Sequence, residues 1–184
     1  MNAIVAANLD WGIGFGGMQT IILPEDRRNF RKLTYGGVVI VGRRTFEQLR
    51  KPLDNRKNIV LTRDRSFNAD GVIISHSVGE VLNEISGDDP DMVFVIGGGD
   101  IYRQFLPLCN YAYVTRIEAA PPSDTFFPDL DALPGWSLEH RQYANEVETE
   151  FESPHCSSFR NYIGEKIRYS FDLYKSNVVE DAYV

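Results

Sequence analysis

Short apolar runs rich in Val and Ile alternate with amphipathic stretches along the first two thirds of the chain. That alternation predicts an α/β fold with a largely parallel sheet. The runs cover residues 3–7, 37–41, 58–62, 72–75, 92–96 and 111–117. Residues 38–41 and 92–96 are apolar at consecutive positions, as in strands covered on both faces, so they are expected at the sheet centre. Four helices are predicted between the runs. Pro24, Glu25 and Asp26 open the first, with proline in the first turn and acids at the positive end of the dipole, and Gly36-Gly37 ends it. The others begin near Arg44 and Thr45, after Ser77, and after Gly97-Gly98-Gly99. Beyond Ile117 the pattern changes. Residues 119–134 read as a loop rich in Pro and Asp, and 136–143 and 167–174 as two strands forming an antiparallel edge. The connection 144–166 holds Phe151, Phe159 and Tyr162 among polar residues and is expected to form a surface hairpin or short helix. A single domain over residues 1–176 with a frayed tail, 177–184, completes the expectation.

Composition narrows the function. The 184 residues carry 19 Lys+Arg against 26 Asp+Glu, a net charge of −7, which argues against coating nucleic acid or an anionic membrane through a general positive field. No apolar run approaches the roughly 20 residues that span a bilayer. The opening residues lack the basic and long apolar regions of a secretory signal. Cys109 and Cys156 form no CxxC pair and fit free thiols in a reducing cytoplasm. The mean charge conceals a segregation: residues 25–65 hold 12 basic and 5 acidic side chains, a local +7 that leaves −14 for the rest. Such a segment suits small polyanions.

Metal chemistry is not expected, because His76, His140 and His155 are scattered and match no ligand pattern. Two strand ends that carry glycine lead into helices: Val41-Gly42-Arg43-Arg44-Thr45 and Ile96-Gly97-Gly98-Gly99-Asp100-Ile101-Tyr102. Glycine permits close backbone approach and a helix start offers free N–H groups, so each can receive an anion, and together they could grip both ends of a dinucleotide. Singly, either also reads as a structural turn. Neither has the G-x-G-x-x-G spacing. Arg43, Arg44 and Arg63 favour a ligand with an extra phosphate, NADPH over NADH; the alternative is a solvated basic face. On the first helix Asp26 and Phe30 are spaced i, i+4, with Leu33 a turn further. An acid on an apolar face is costly without a purpose. Spacing alone is met more simply by stabilisation of the helix dipole.

The order of motifs is more specific than any one of them. Gly12-Ile13-Gly14, Leu23-Pro24-x-Asp26, Gly42-Arg43-x-Thr45, Arg56-Lys57-Asn58, Ile96-Gly97-Gly98-Gly99 with Ile101-Tyr102, and Asp124-Thr125-x-Phe127-Pro128 together resemble the dihydrofolate reductase family. The resemblance runs in register from about Ile4 to Pro128 and more loosely beyond. It implies that family's three-layer fold, with a mostly parallel sheet of about eight strands, an antiparallel C-terminal edge and flanking helices. It also implies NADPH-dependent reduction of dihydrofolate by a monomer that antifolates such as trimethoprim or methotrexate would bind. Asp26 would hold the pterin, supported by Thr115, with Tyr102 close to the nicotinamide. Arg56 would pair with the α-carboxylate of the glutamate tail, and Ile4, Val5, Ala6, Arg27, Phe30, Leu53 and Ile96 would complete the folate pocket. NADPH would contact Ala6, Ile13, Gly14, Gly42, Arg43, Arg44, Thr45, Leu61, Thr62, Arg63 and Ile96. Its remaining contacts would be Gly97, Gly98, Gly99, Asp100, Ile101, Tyr102 and Thr125. No metal is implied.

Three departures from the family pattern stand out. Thr20-Ile21-Ile22 occupies the place of a common Pro-Trp, Arg27 the place of an apolar pocket residue, and Asp100 that of a basic one. Gly16-Gly17 suggests a mobile loop. The competing readings are a pyrimidine reductase of riboflavin synthesis and a nucleotide-binding module without turnover. Leu23-Pro24-x-Asp26 and Arg56 suit a pterin with a glutamate tail better than a ribityl phosphate.

Overall fold

The computed structural model describes residues 1–144, 147–148 and 166–177. Its elements, in order, are β1 (Asn2–Ala7), β2 (Gly12–Gly14), α1 (Pro24–Thr34), β3 (Val38–Gly42), α2 (Arg43–Leu49), β4 (Lys57–Leu61), β5 (Ile73–Ser75) and α3 (Val78–Glu84). There follow β6 (Val93–Gly97), α4 (Gly99–Phe105), β7 (Tyr111–Ile117), β8 (Thr125–Phe126), β9 (Trp136–Tyr143), β10 (Val147–Glu148), β11 (Lys166–Ile167) and β12 (Tyr169–Ser176). Eight strands form one sheet in the order β5-β4-β3-β6-β1-β7-β12-β9. The first six run parallel, and β12 and β9 extend the sheet antiparallel.

The consecutive apolar residues of β3 and β6 lie at the middle of the sheet and are buried on both faces. Side-chain alternation sorts the layers. Val38, Ile40, Val93 and Val95 join Val81, Ile85, Ile101 and Phe105 in the main core, which places α3 and α4 on one face. Val41 and Val60 pack with Phe46 of α2, and Ile96 rests on them, on the other face. α1 lies on that second face, tied to β7 by a bond from Thr115 to Asp26. Its packing differs from that of α4, in which Ile101, Tyr102 and Phe105 are all buried. Thr34 alone is buried in α1, while Asp26, Phe30 and Leu33 are half-buried. An amphipathic helix whose apolar face is not sealed against a core borders a cleft.

Two local features differ from the sequence expectation. Thr125–Phe126, within the Pro- and Asp-rich loop, pairs with Gly12–Gly14, and a strand so short leaves no legible alternation. The predicted strand 167–174 divides at Arg168. Lys166–Ile167 pairs with Val147–Glu148, so the two ends of the long connection meet, while Tyr169–Ser176 sits between β7 and β9. The rest of that connection, with Phe151, His155, Cys156, Phe159 and Tyr162, lies outside the described residues, as does the tail beyond Asn177.

Candidate active site

The cleft begins at Asp26. Leu23 is buried and Pro24 starts the helix, which sets Asp26 in the first turn of α1 facing β7. Thr115 Oγ1 donates to Asp26 Oδ1 at 2.6 Å. Thr115 pairs with Ala6 of β1 and with Phe171 of β12, so its side chain is held on the cleft face of the sheet. Burial pushes the Asp26 carboxyl above the usual carboxylate range, and the Thr115 bond and the Arg27 charge counter this in part. Arg27 is exposed. Ile21 fills the place next to this site with Leu23, Ile117 and Tyr169 and brings no polar donor. On β1, Val5 joins Ala3 and Ala7 in the main core, so its side chain faces away from the cleft, whereas Ala6 packs on the Ile21 side.

At the other end of α1, about 12 Å along its axis, stands Arg56. Its guanidinium is locked by the fold: Nε donates to Thr34 Oγ1 at 2.8 Å, one terminal nitrogen to Asp54 O at 2.8 Å and the other to Arg31 O at 3.2 Å. The group also lies 6.0 Å from the ring centres of Phe30 and Tyr35. Each terminal nitrogen keeps one further N–H, enough for a fork onto a carboxylate. Buried Asn58 shapes the approach. Its amide receives from Leu53 N at 2.9 Å and donates to the carbonyls of Leu53 and Arg56, both at 2.9 Å. Sequence reading identified Arg56 and Leu53 but not Thr34 or the role of Asn58.

Across β1 and β6 lies a cradle made of backbone. Gly42 of β3 and Gly97 of β6 are neighbouring strand ends, with Val41 paired to Gly97. A Cβ on Gly42 would come within 2.8 Å of Ile101, on Gly97 within 3.0 Å of the Tyr102 ring, on Gly98 within 3.1 Å of Thr45 and on Gly99 within 3.0 Å of Thr125. Gly97 also has φ of +112°, which favours glycine. α3 is capped by Ser77, whose hydroxyl accepts from Glu80 N at 3.1 Å. α2 and α4 instead start at Gly42 and Gly98 with no side-chain cap, which leaves their first N–H groups for another acceptor. Tyr102 is buried and donates to Ile4 O at 2.7 Å. Burial raises its phenol far above the normal range, so it is a neutral tie between cradle and cleft.

Gly42 pairs with Leu61, so Arg43 and the Thr62–Arg63 turn emerge side by side. Arg43 contacts Glu47 at 3.0 Å, Arg44 and Arg63 are exposed, and Asp100 is paired with Arg103. His76 Nδ1 lies 2.8 Å from Thr62 O, a neighbour the sequence did not reveal. In the Gly16-Gly17 turn, Gly16 N donates to Asp124 Oδ2 at 2.7 Å and Gln48 donates to Gly17 O, both at exposed positions. Ile13 and Gly14 follow from the short pairing with β8, which sets Thr125 beside Gly14. Among the described residues no cluster of His, Cys, Asp and Glu could hold a metal ion.

Comparison with known proteins agrees with this geometry. The family model for dihydrofolate reductase matches residues 1–161. The chain is 34% identical to the dihydrofolate reductase of Staphylococcus aureus (strain Mu50) over 152 residues, covering 83% of this chain and 89% of that protein. It is 39% identical to that of Haemophilus influenzae over 140 residues, covering 76% and 85%. Among solved structures, Enterococcus faecalis dihydrofolate reductase complexed with NADP(H) and RAB-propyl superposes with a TM-score of 0.79 at 29% identity, covering 96% of this chain and 95% of that one.

Proposed function

The chain belongs to the dihydrofolate reductase family, and from that premise we propose how its residues share the NADPH-dependent reduction of 7,8-dihydrofolate to 5,6,7,8-tetrahydrofolate that it catalyses. The glycine cradle fits the cofactor: four positions where a Cβ would crowd neighbouring protein atoms lie beside two uncapped helix starts, whose backbone N–H groups are open to phosphate. When bound, NADPH supplies the hydride that the pterin receives at C6. Ala6, Ile13, Gly14, Ile96 and Thr125 line its nicotinamide end, and Arg43, Arg44, Thr45, Thr62 and Arg63 hold its phosphates. Tyr102 is a positioning residue, because its hydroxyl is committed to Ile4 O.

Asp26 binds the 2-amino group and N3 of the pterin. Burial disfavours its ionised form, and an ionisable group held against the ring system favours protonation at N5 without contact at that atom. Thr115 fixes the carboxylate oxygen that faces it. Ile4, Ala6, Phe30, Leu53 and Ile96 exclude water around the ring and its arm, and the free fork of Arg56 takes the α-carboxylate. The same cleft is the antifolate site. The enzyme acts as a monomer in the cytoplasm, where free buried Cys109 needs no partner, and supplies tetrahydrofolate for one-carbon transfer and thymidylate synthesis. The observation that carries this reading is the Asp26–Thr115 pair in a half-buried cleft facing the glycine cradle. NADPH oxidation should proceed with dihydrofolate and be absent with the deaminated pyrimidine of riboflavin synthesis or with no second substrate. Turnover of the pyrimidine in place of dihydrofolate would overturn the reading.

A further inference from the structure

A pocket of about 500 Å³ opens on the face of the sheet turned away from Asp26. Its walls come from the antiparallel edge. Thr115 and Ile117 of β7 face the cleft side, so Arg116 between them faces the other way. Register does the rest: Ser170 of β12 stands between Arg116 and Tyr143 of β9, and Asp172 stands beside Arg141. Arg168, just before β12, pairs with Glu118. Leu9, in the turn after β1, and Asp131 complete the lining.

The acids on these walls are matched within the protein, whereas the donors are not used up. Asp172, whose side chain is fully buried, accepts both bonds of the Arg141 fork, at 2.9 and 2.6 Å. Glu118 lies 3.0 Å from Arg168 Nε. Asp131 accepts from the Tyr174 hydroxyl at 2.7 Å and lies 3.5 Å from Arg116. Arg116 itself is committed: it donates to Asn8 O and Leu9 O and lies over the Trp11 ring, 4.0 Å from its centre. Three donor groups are left on the wall. They are the terminal nitrogens of Arg168, the terminal nitrogen of Arg141 outside its fork, and the Ser170 hydroxyl. Ser170 is 4% exposed, and its hydroxyl has no partner among the described residues. We propose that this pocket is a second ligand site, separate from cleft and cradle, that takes the phosphate of a small organic phosphomonoester. A phosphate group presents three acceptor oxygens, which two guanidinium groups and a hydroxyl can share. A pocket of this volume leaves room for an organic body against exposed Leu9.

Calorimetric titration of phenyl phosphate, inorganic phosphate and benzoate onto the enzyme saturated with NADPH tests this, because the cofactor then fills its own phosphate seats. Phenyl phosphate should bind one-to-one, more tightly than either of the other two, and its affinity should fall as salt screens the guanidinium charges. Arg168→Gln should weaken binding about three- to tenfold, the range for charge-assisted bonds from a side chain that is partly exposed. Ser170→Ala should weaken it about threefold, and Arg168→Lys should retain part of the affinity. Both Arg168→Gln and Ser170→Ala should leave kcat and KM for dihydrofolate as they are, since neither residue touches the cleft or the cradle. Arg141 stays in place in these variants, because its loss would strand the buried Asp172 carboxylate. No binding of phenyl phosphate at millimolar concentration, binding that NADPH abolishes, benzoate bound as tightly as phenyl phosphate, or affinity unchanged in R168Q/S170A would each overturn the proposal while leaving the reductase reading intact.

Discussion

The glycine cradle and the carboxylate cleft face each other across β1 and β6, and they are built by opposite means. The cradle is backbone. Gly42, Gly97, Gly98 and Gly99 each have a protein atom within 3.1 Å of where a Cβ would lie, so its shape is set by what those residues lack. The cleft is side chain. Asp26 is positioned by Thr115, and Arg56 by Thr34, Asp54 O and Arg31 O, on a helix that buries a single residue. A backbone site leaves little room for an added atom at its glycines. A side-chain site tolerates changes of volume, yet depends on a few hydrogen bonds and on the charges around them. Arg27 in the place of an apolar residue is a change that only the second kind of site can absorb.

The comparison breaks most visibly at Asp26. Asp26→Asn keeps an acceptor for Thr115 and removes the ionisable group, so kcat/KM for dihydrofolate at neutral pH should fall by about 10²- to 10⁴-fold. Much less should be lost at low pH, where solvent protonates the substrate. A pH–rate profile that superimposes on that of the unaltered enzyme would remove Asp26 from the mechanism. On the backbone side, Gly97→Ala places a Cβ 3.0 Å from the Tyr102 ring at a φ of +112°. The strain is of order 1–3 kcal/mol. NADPH binding measured by fluorescence should weaken about tenfold or more, with dihydrofolate binding less affected.

Thr34→Val tests the cleft's side-chain support. It leaves Arg56 Nε without its acceptor, a cost of about 1–3 kcal/mol, and should raise KM for dihydrofolate about tenfold with little change in kcat. An unchanged KM would mean that the Arg56 seat does not set tail affinity. Smaller still is the effect at the cofactor's outer end. Arg43 is partly engaged with Glu47, so Arg43→Ala should lower the preference for NADPH over NADH several-fold, and loss in neither Arg43→Ala nor Arg44→Ala would refute their role. The smallest effect is on stability. The folded-state pKa of Asp26 is raised, so the folded protein holds that proton more firmly than the unfolded chain. The contribution is present at low pH and is lost as pH rises through the folded value. Asp26→Asn should therefore melt higher than the parent at pH 7, and the gap should close towards about pH 4, the unfolded carboxylate range.

The same contrast decides what was legible in the sequence. The cradle was readable because its logic is local: a β-branched run, glycine, then a helix start, repeated at Gly42 and at Gly97. The Asp26–Phe30 spacing was readable for the same reason, although spacing alone did not separate a functional acid from one that serves the dipole. What escaped joins distant residues. Thr34 meets Arg56 22 positions away, Gly17 meets Gln48 31 away, and Asp124 reaches Gly16 108 away. None of these side chains has a local pattern to announce it. The two contacts of the Gly16-Gly17 turn escaped because their partners are remote in sequence. The face of Val5 was also missed, since every residue in 3–7 is apolar and the alternation that would assign it to one side is hidden. Strand division at Arg168 depended on pairing with Val147–Glu148 across the long connection.

The central claim is that cradle and cleft act on one another, passing hydride from the cofactor held by the glycines to the pterin held by Asp26. Reduction of dihydrofolate with NADPH deuterated at C4 of the nicotinamide, followed by NMR of the isolated product, tests it directly. The account predicts tetrahydrofolate labelled at C6, one deuterium for each cofactor oxidised through its labelled position. Cofactor oxidation without label in tetrahydrofolate, or no oxidation in the presence of dihydrofolate, would contradict it.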